Sequence, residues 1–214
     1  KHSSQFDKTK LLINPSLISN QYNDYEIQLQ RRSQWASITK PFNTFSLSFS
    51  TKNIYKNISL GAMILNDVAG DSDFSTDGLS LSFSKAFSRK ENLFSISLQT
   101  ALYQRALSYE ELIFIENEYL QVRKVSFFDI GLGFSNYKKI NKNAYFLAGI
   151  SSHHLNTPNQ SLSLNNTSRL KVKHILHCTY YSILNSKTNI FPTGYISLQN
   201  QQKEIVIGSG FLYK

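Results

Sequence analysis

Cysteine is nearly absent: Cys178 stands alone in 214 residues, so no internal disulfide can staple this chain and Cys178 reads as an inert strand residue. Long apolar runs are missing too. None approaches the roughly 20 residues that a spanning helix needs, which excludes a helical membrane protein. Carboxylates are scarce, with 14 Asp and Glu against 23 Lys and Arg, a net charge of +9. That excess raises the question of nucleic acid, but the cations are scattered through turn-like segments instead of stacked on one face, which argues against it. The opening Lys1-His-Ser-Ser-Gln5 lacks the apolar core of a signal peptide. The chain is read as a mature form with its signal removed, or as one never exported. Ser, His and Asp are abundant, yet no G-x-S-x-G nucleophile motif accompanies them, and abundance alone does not make a catalytic triad.

What the chain does have is alternation. In Phe45-Ser-Leu-Ser-Phe-Ser50 and Leu79-Ser-Leu-Ser-Phe-Ser84, large apolar residues take one side of a strand and serines the other. Helical spacing is not supplied. Such strands fit either a soluble sandwich with a packed core or a membrane barrel whose apolar side meets lipid while hydroxyls line the interior. A mean hydropathy of -0.29 looks soluble, but a barrel needs only alternate residues apolar. The 15 Phe and 12 Tyr suit aromatic girdles and many β domains alike.

Taken in order, residues 1–23 lack clean alternation and are read as an N-terminal arm or plug packed inside or across the mouth of the fold. Asn14-Pro15 there favours a turn or extended segment. Residues 24–214 are read as the barrel. Its strands are expected near 25–31, 43–51, 57–66, 78–87, 92–105, 125–137, 143–153, 169–183, 188–199 and 203–213, many of them long enough to cross a bilayer. Short basic connections (51–56, 88–91, 137–142, 185–188) alternate with longer ones (31–42, 66–77, 107–124, 154–168), with 200–203 the exception. Tight periplasmic turns and longer outer loops have this rhythm in outer-membrane barrels. Lys171, Lys173, Ile175, His177 and Thr179 share one side of the eighth strand, and buried lysines are costly in a dry core but acceptable in a wet lumen. His174 falls on the apolar side, which suggests a membrane interface or a bulge. The fold class is therefore all-β: a transmembrane antiparallel β-barrel of outer-membrane type. Its expected lipid-facing set is Phe45, Leu47, Phe49, Leu79, Leu81, Phe83, Phe94, Ile96, Leu98, Phe128, Ile130, Leu132 and Phe134.

Several blocks fit one family. They are Leu12-Ile-Asn-Pro-Ser-Leu17, Arg32-Ser-Gln-Trp35, Phe42-Asn-Thr-Phe45, Leu60-Gly-Ala-Met-Ile-Leu-Asn-Asp67 with Gly70, and His154-Leu-Asn-Thr-Pro-Asn159 with Ser161. In order and spacing the chain resembles the PorP/SprF family of outer-membrane proteins of the type IX secretion system, over essentially its whole length. The resemblance implies a barrel that serves export and surface attachment of secreted proteins, in some members adhesins used for gliding. It implies partners among secretion-machinery components and a secreted surface protein, and no catalysis. It also implies further strands after Lys214, so that the chain is shortened at its C-terminus.

Candidate sites follow from chemistry. His153 and His154, adjacent on a strand, point to opposite faces and are not expected to share a metal with His174 or His177. Asp67, Asp71, Asp73 and Asp77 lack the Gly (Thr76 instead) and the Glu (Ser82 instead) of a calcium loop. No metal, cofactor or small-molecule substrate is expected. Trp35 and Arg32 form a pairing enriched at binding hot spots, and Pro158 can hold His154 and Asn156 in position. Phe114, within an acidic segment carrying Glu110, Glu111, Glu116 and Glu118, is the other partner-binding candidate. The bland readings are a girdle residue for Trp35, a turn former for Pro158 and a loop folded on its own barrel for Phe114. A general diffusion channel and a soluble β-sandwich binding domain are the competing functions.

Overall fold

In the computed structural model, residues 10–34, 42–69, 74–107, 123–162, 167–185 and 187–213 are described. Ten strands run β1 Tyr25–Gln34, β2 Phe42–Tyr55, β3 Ile58–Ala69, β4 Phe74–Arg89, β5 Asn92–Leu107, β6 Arg123–Lys139, β7 Ala144–His153, β8 Lys173–Ile183, β9 Thr188–Gln199 and β10 Gln202–Tyr213. Each pairs antiparallel with the next, in one sheet ordered as in the sequence. The sheet curls into a half-barrel. Among the described residues, β1 and β10 are its two edges.

Sidedness follows the alternation, turned inside out relative to a soluble core. Leu81 is 46% exposed on the convex face while Ser82 is 1% exposed on the concave one. Along β4 the pattern repeats: Leu79 and Phe83 face out, Ser80 and Ser84 are buried. A convex face of Leu, Ile and Phe that is open to the surroundings on every strand suits lipid. Of the expected lipid-facing set, Phe94 and Ile130 are half-covered and the other members exposed.

The concave face is not simply a wet lumen. A short helix α1, Lys10–Ile13, and a 3₁₀ turn, Pro15–Asn20, lie inside it. Asn14 between them is extended, with φ -155° and ψ 113°, and caps the 3₁₀ turn by accepting from Ser16 N. Pro15 suits the first helical position because its missing N–H is not needed there. Leu11 and Ile18 pack on Met63, and Ile13 and Leu17 on Ile175 and Tyr195. The inner segment thus bridges both flanks of the sheet.

The strands are longer than alternation suggested. β3 continues to Ala69 and β4 starts at Phe74, so the 66–77 connection shrinks to residues 70–73. Pairs Asn66↔Asp77 and Asp67↔Thr76 extend the ladder, because backbone hydrogen bonds do not require apolar side chains. Asp67 turns inward and Asp77 outward, so these two face opposite sides; Asp71 and Asp73 lie outside the described residues. β8 begins at Lys173 and not at 169. Arg169 instead bridges Asn159, and Leu170 turns into the mouth instead of continuing the outer face. His174 does face out, with no bulge. Its Nδ1 lies 2.8 Å from Ser152 Oγ on the paired strand.

The hairpins sort the charges. The turns β2–β3, β4–β5, β6–β7 and β8–β9 all lie at one end, with the start of β1 and the end of β10. Seven cations scattered along the sequence, Lys56, Arg89, Lys90, Lys138, Lys139, Lys142 and Lys187, are thereby brought together at that short-turn end, a clustering their spacing along the chain does not show. Lys56 and Asn57, both left-handed with φ 45° and 63°, make the tight two-residue turn that matches strand twist. Membrane orientation is testable from this arrangement. In a Cys178→Ser background, Lys142→Cys and Asn200→Cys sit at opposite ends. A membrane-impermeant maleimide on intact cells should label only Asn200→Cys if the short turns face the periplasm; labelling of Lys142→Cys alone would invert the topology.

Candidate functional site: the plugged lumen and its long-loop mouth

Asn14 is the residue the interior is built around. It is fully buried, and its Nδ2 donates to Phe134 O at 2.9 Å and Ile150 O at 3.2 Å, with His177 Nε2 at 3.0 Å. Its Oδ1 accepts from Ser16 N at 3.0 Å. Space for this comes from two strand positions without side chains. A Cβ on Gly133 would collide with Asn14 Oδ1, and one on Gly149 would lie 2.8 Å from Asn14 Nδ2.

The serine rows supply the rest of the seat. Ser16 Oγ lies 2.8 Å from Ser135 Oγ, Ser19 Oγ 2.8 Å from Ser84 Oγ, and Ser50 Oγ donates to Gln21 Oε1 at 2.7 Å. Ser151 Oγ donates to Ile13 O, and Gln99 Nε2 donates to Leu11 O at 3.1 Å. Small hydroxyls are needed here because the segment's own backbone and amides must be satisfied in a space too narrow for larger side chains.

Above this floor, at the long-loop end, lies a cavity of about 230 Å³ between Leu12, Tyr103, Arg105, Asp129, His153 and the loop residues Gln160 and Leu170. Asp129 Oδ2 is 2.9 Å from His154 Nδ1. Its Oδ1, Arg105 Nε and Gln160 Oε1 are buried with no hydrogen-bond partner among the described residues. Three such atoms on one small cavity leave spare polar capacity at the mouth.

His154 has left the strand: its φ of 61° is left-handed. That turn carries its ring to inward-facing Asp129, so His153 and His154 line the same cavity instead of pointing to opposite faces. Thr157 is left-handed too, φ 41°, uncommon for a β-branched residue. Asn156 holds the strained loop, accepting from Ile130 N at 3.2 Å and donating to Phe128 O at 2.6 Å. Pro158 is buried, and its carbonyl accepts from Leu170 N at 2.9 Å. Arg32 faces inward on β1, beside Asp67 and Leu12 in a second cavity of about 220 Å³. Leu12 and Leu65 line both cavities. Trp35 and Phe114 lie outside the described residues.

Sequence reasoning singled out the His154 loop but missed Asn14, Gln99, Asp129, Gly133 and Gly149. A signal existed for one of them, Gly133. In Ile130-Gly-Leu-Gly-Phe134, glycine recurs at every lumen-facing position, as where another backbone approaches closely.

No helix among the described residues is long and apolar enough to cross a membrane. The family model described as "Type IX secretion system membrane protein PorP/SprF" matches residues 1–214. No curated protein and no solved structure matches. With a lipid-suited convex face on a ten-stranded antiparallel sheet, and a family match over its entire length, the chain belongs to the PorP/SprF family of type IX secretion membrane proteins.

Proposed function

We propose that this protein is a non-catalytic outer-membrane scaffold that docks a secreted or surface protein at its long-loop mouth during type IX export. Its surface-attached cargo would be of the adhesin or gliding type. The observation that carries this reading is the occupied lumen. Hydrogen bonds from β2, β4, β5, β6 and β7 hold residues 11–21 across the concave face, so the interior suits a scaffold better than a path for solutes. The mouth supports docking through its strained His154–Pro158 loop and its spare polar atoms, since backbone strain concentrates where recognition needs a fixed geometry. In planar bilayers the protein should be electrically silent. Steady single-channel conductance would favour a diffusion channel.

The docking role is separable from folding. His154→Ala leaves Asp129 buried without its partner and should cost about 1.5–3 kcal/mol, as for a hydrogen bond to a charged group. His154→Gln keeps a donor and should cost less. Paired with Arg32→Ala, His154→Gln should leave barrel abundance within about two-fold while surface display of the cargo falls at least about ten-fold, the loss that 1.4 kcal/mol of docking energy represents. Display that tracks abundance would return these residues to a structural role.

A further inference from the structure

The four hairpins gathered at the short-turn end share a composition that scaffolding does not require. Across residues 54–57, 87–91, 137–143 and 183–187 there are seven Lys and Arg and one carboxylate, Glu91. None of the seven makes an ion pair with a described residue. Each hairpin also shows water a large apolar side chain: Tyr55 beside Lys56, Phe87 beside Arg89 and Lys90, Ile140 beside Lys139 and Lys142, and Leu184 beside Lys187. Their exposures run from 48% for Phe87 to 62% for Tyr55.

From this juxtaposition we infer that the short-turn end is a binding rim for anionic glycerophospholipids, whose phosphates the cations engage while the apolar tips enter the acyl boundary. Unneutralised like charges at this density repel one another and call for a counter-anion. A soluble acidic protein would meet the charge but leave the apolar tips unused. A leaflet meets both, as interfacial segments with basic and apolar faces do. The direction of the side chains agrees. On β4 the outward row Leu79, Leu81, Phe83 continues through Lys85 to Phe87 and Arg89. On β6 the row ending in Leu132 and Phe134 continues to Lys138. These cations extend the lipid-facing rows sideways at headgroup level, where each contributes about 1 kcal/mol of attraction to an anionic surface.

The reading stands apart from cargo docking at the opposite mouth and survives if that fails. The test uses the full chain in nanodiscs of equal phosphatidylcholine and phosphatidylglycerol. Lipids retained after mild delipidation are counted by native mass spectrometry. The wild type should retain phosphatidylglycerol in several-fold excess. Arg89→Gln with Lys138→Gln and Lys142→Gln should erase that excess, while Arg89→Lys with Lys138→Arg and Lys142→Arg should keep it. Arg31→Gln with Lys203→Gln, at the other end, should leave it unchanged. Circular dichroism confirms that each variant keeps its strands. Equal retention of the two lipids by the wild type overturns the inference, including where soluble polyglutamate binds the rim instead. So does an excess that persists in the charge-removed variant.

Discussion

Gly133→Val should unseat the inner segment while leaving the sheet paired. Valine is a better strand residue than glycine, which loses more chain entropy on folding and packs nothing. By propensity alone the substitution should stabilise β6. In the folded protein the added atoms meet Asn14 Oδ1, and a Cβ would sit 2.5 Å from Ser97 Oγ and 3.2 Å from Pro15 Cδ. Asn14 has no room to yield. Its amide is held between Phe134 O and Ile150 O, its carbonyl by Ser16 N. Overpacking of this kind costs about 1–3 kcal/mol, here borne by the docking of residues 10–21. The amides to follow are Asn14 N, which donates to Lys10 O at 2.8 Å, and Leu17 N, which donates to Asn14 O at 3.1 Å. Their hydrogen-exchange protection should fall about 5–150-fold, the equivalent of that cost, with β4–β5 amides unchanged. Protection equal to wild type at both amides would mean that the glycine is not the seat.

That seat marks where reading the sequence stopped. Alternation showed the strands because each Leu-Ser or Phe-Ser pair reports a face directly, and the family blocks told which kind of membrane fold to expect. The strand ends were hidden because Asn66, Asp67, Ser75 and Thr76 pair through backbone alone, and polar residues at the rim carry no apolar rhythm. The inner segment was half legible. Its apolar character suggested packing inside or across the mouth, but the fit of Asn14 between β6 and β7 joins residues 120 and 136 positions apart, and nothing local announces such a contact. The His154 loop failed for a different reason. Two-fold strand geometry was applied one residue too far, and a single left-handed φ turned His154 back toward Asp129. The cationic rim was invisible because clustering was judged along the chain, whereas hairpins bring every second connection to the same end.

Leu81→Arg should be the most damaging single change on the outer face. Leu81 lies at the middle of the 16-residue strand Phe74–Arg89 and so nearest the centre of the bilayer. An arginine there costs about 2–4 kcal/mol at the midplane, falling toward zero near the interfaces. The same substitution at Phe87, in the short-turn rim, should therefore be mild, and the ratio between the two sites reads depth directly. Its neighbour Ser82 tests the other face. A water-filled lumen would tolerate almost anything there, but Ser82 is 1% exposed and accepts from Gln99 Nε2 at 3.0 Å, and Gln99 in turn holds Leu11 O. Ser82→Ala should cost about 1 kcal/mol, the usual net value of one hydrogen bond. Ser82→Arg should be nearly as harmful as Leu81→Arg, because it fills the space of the inner segment instead of entering lipid. Removing the inner segment separates these causes. A chain lacking residues 10–21 should tolerate Ser82→Arg and still reject Leu81→Arg, as measured by denaturant titration in lipid vesicles. Equal tolerance of arginine at both positions in that shortened chain would overturn the assignment of the convex face to lipid.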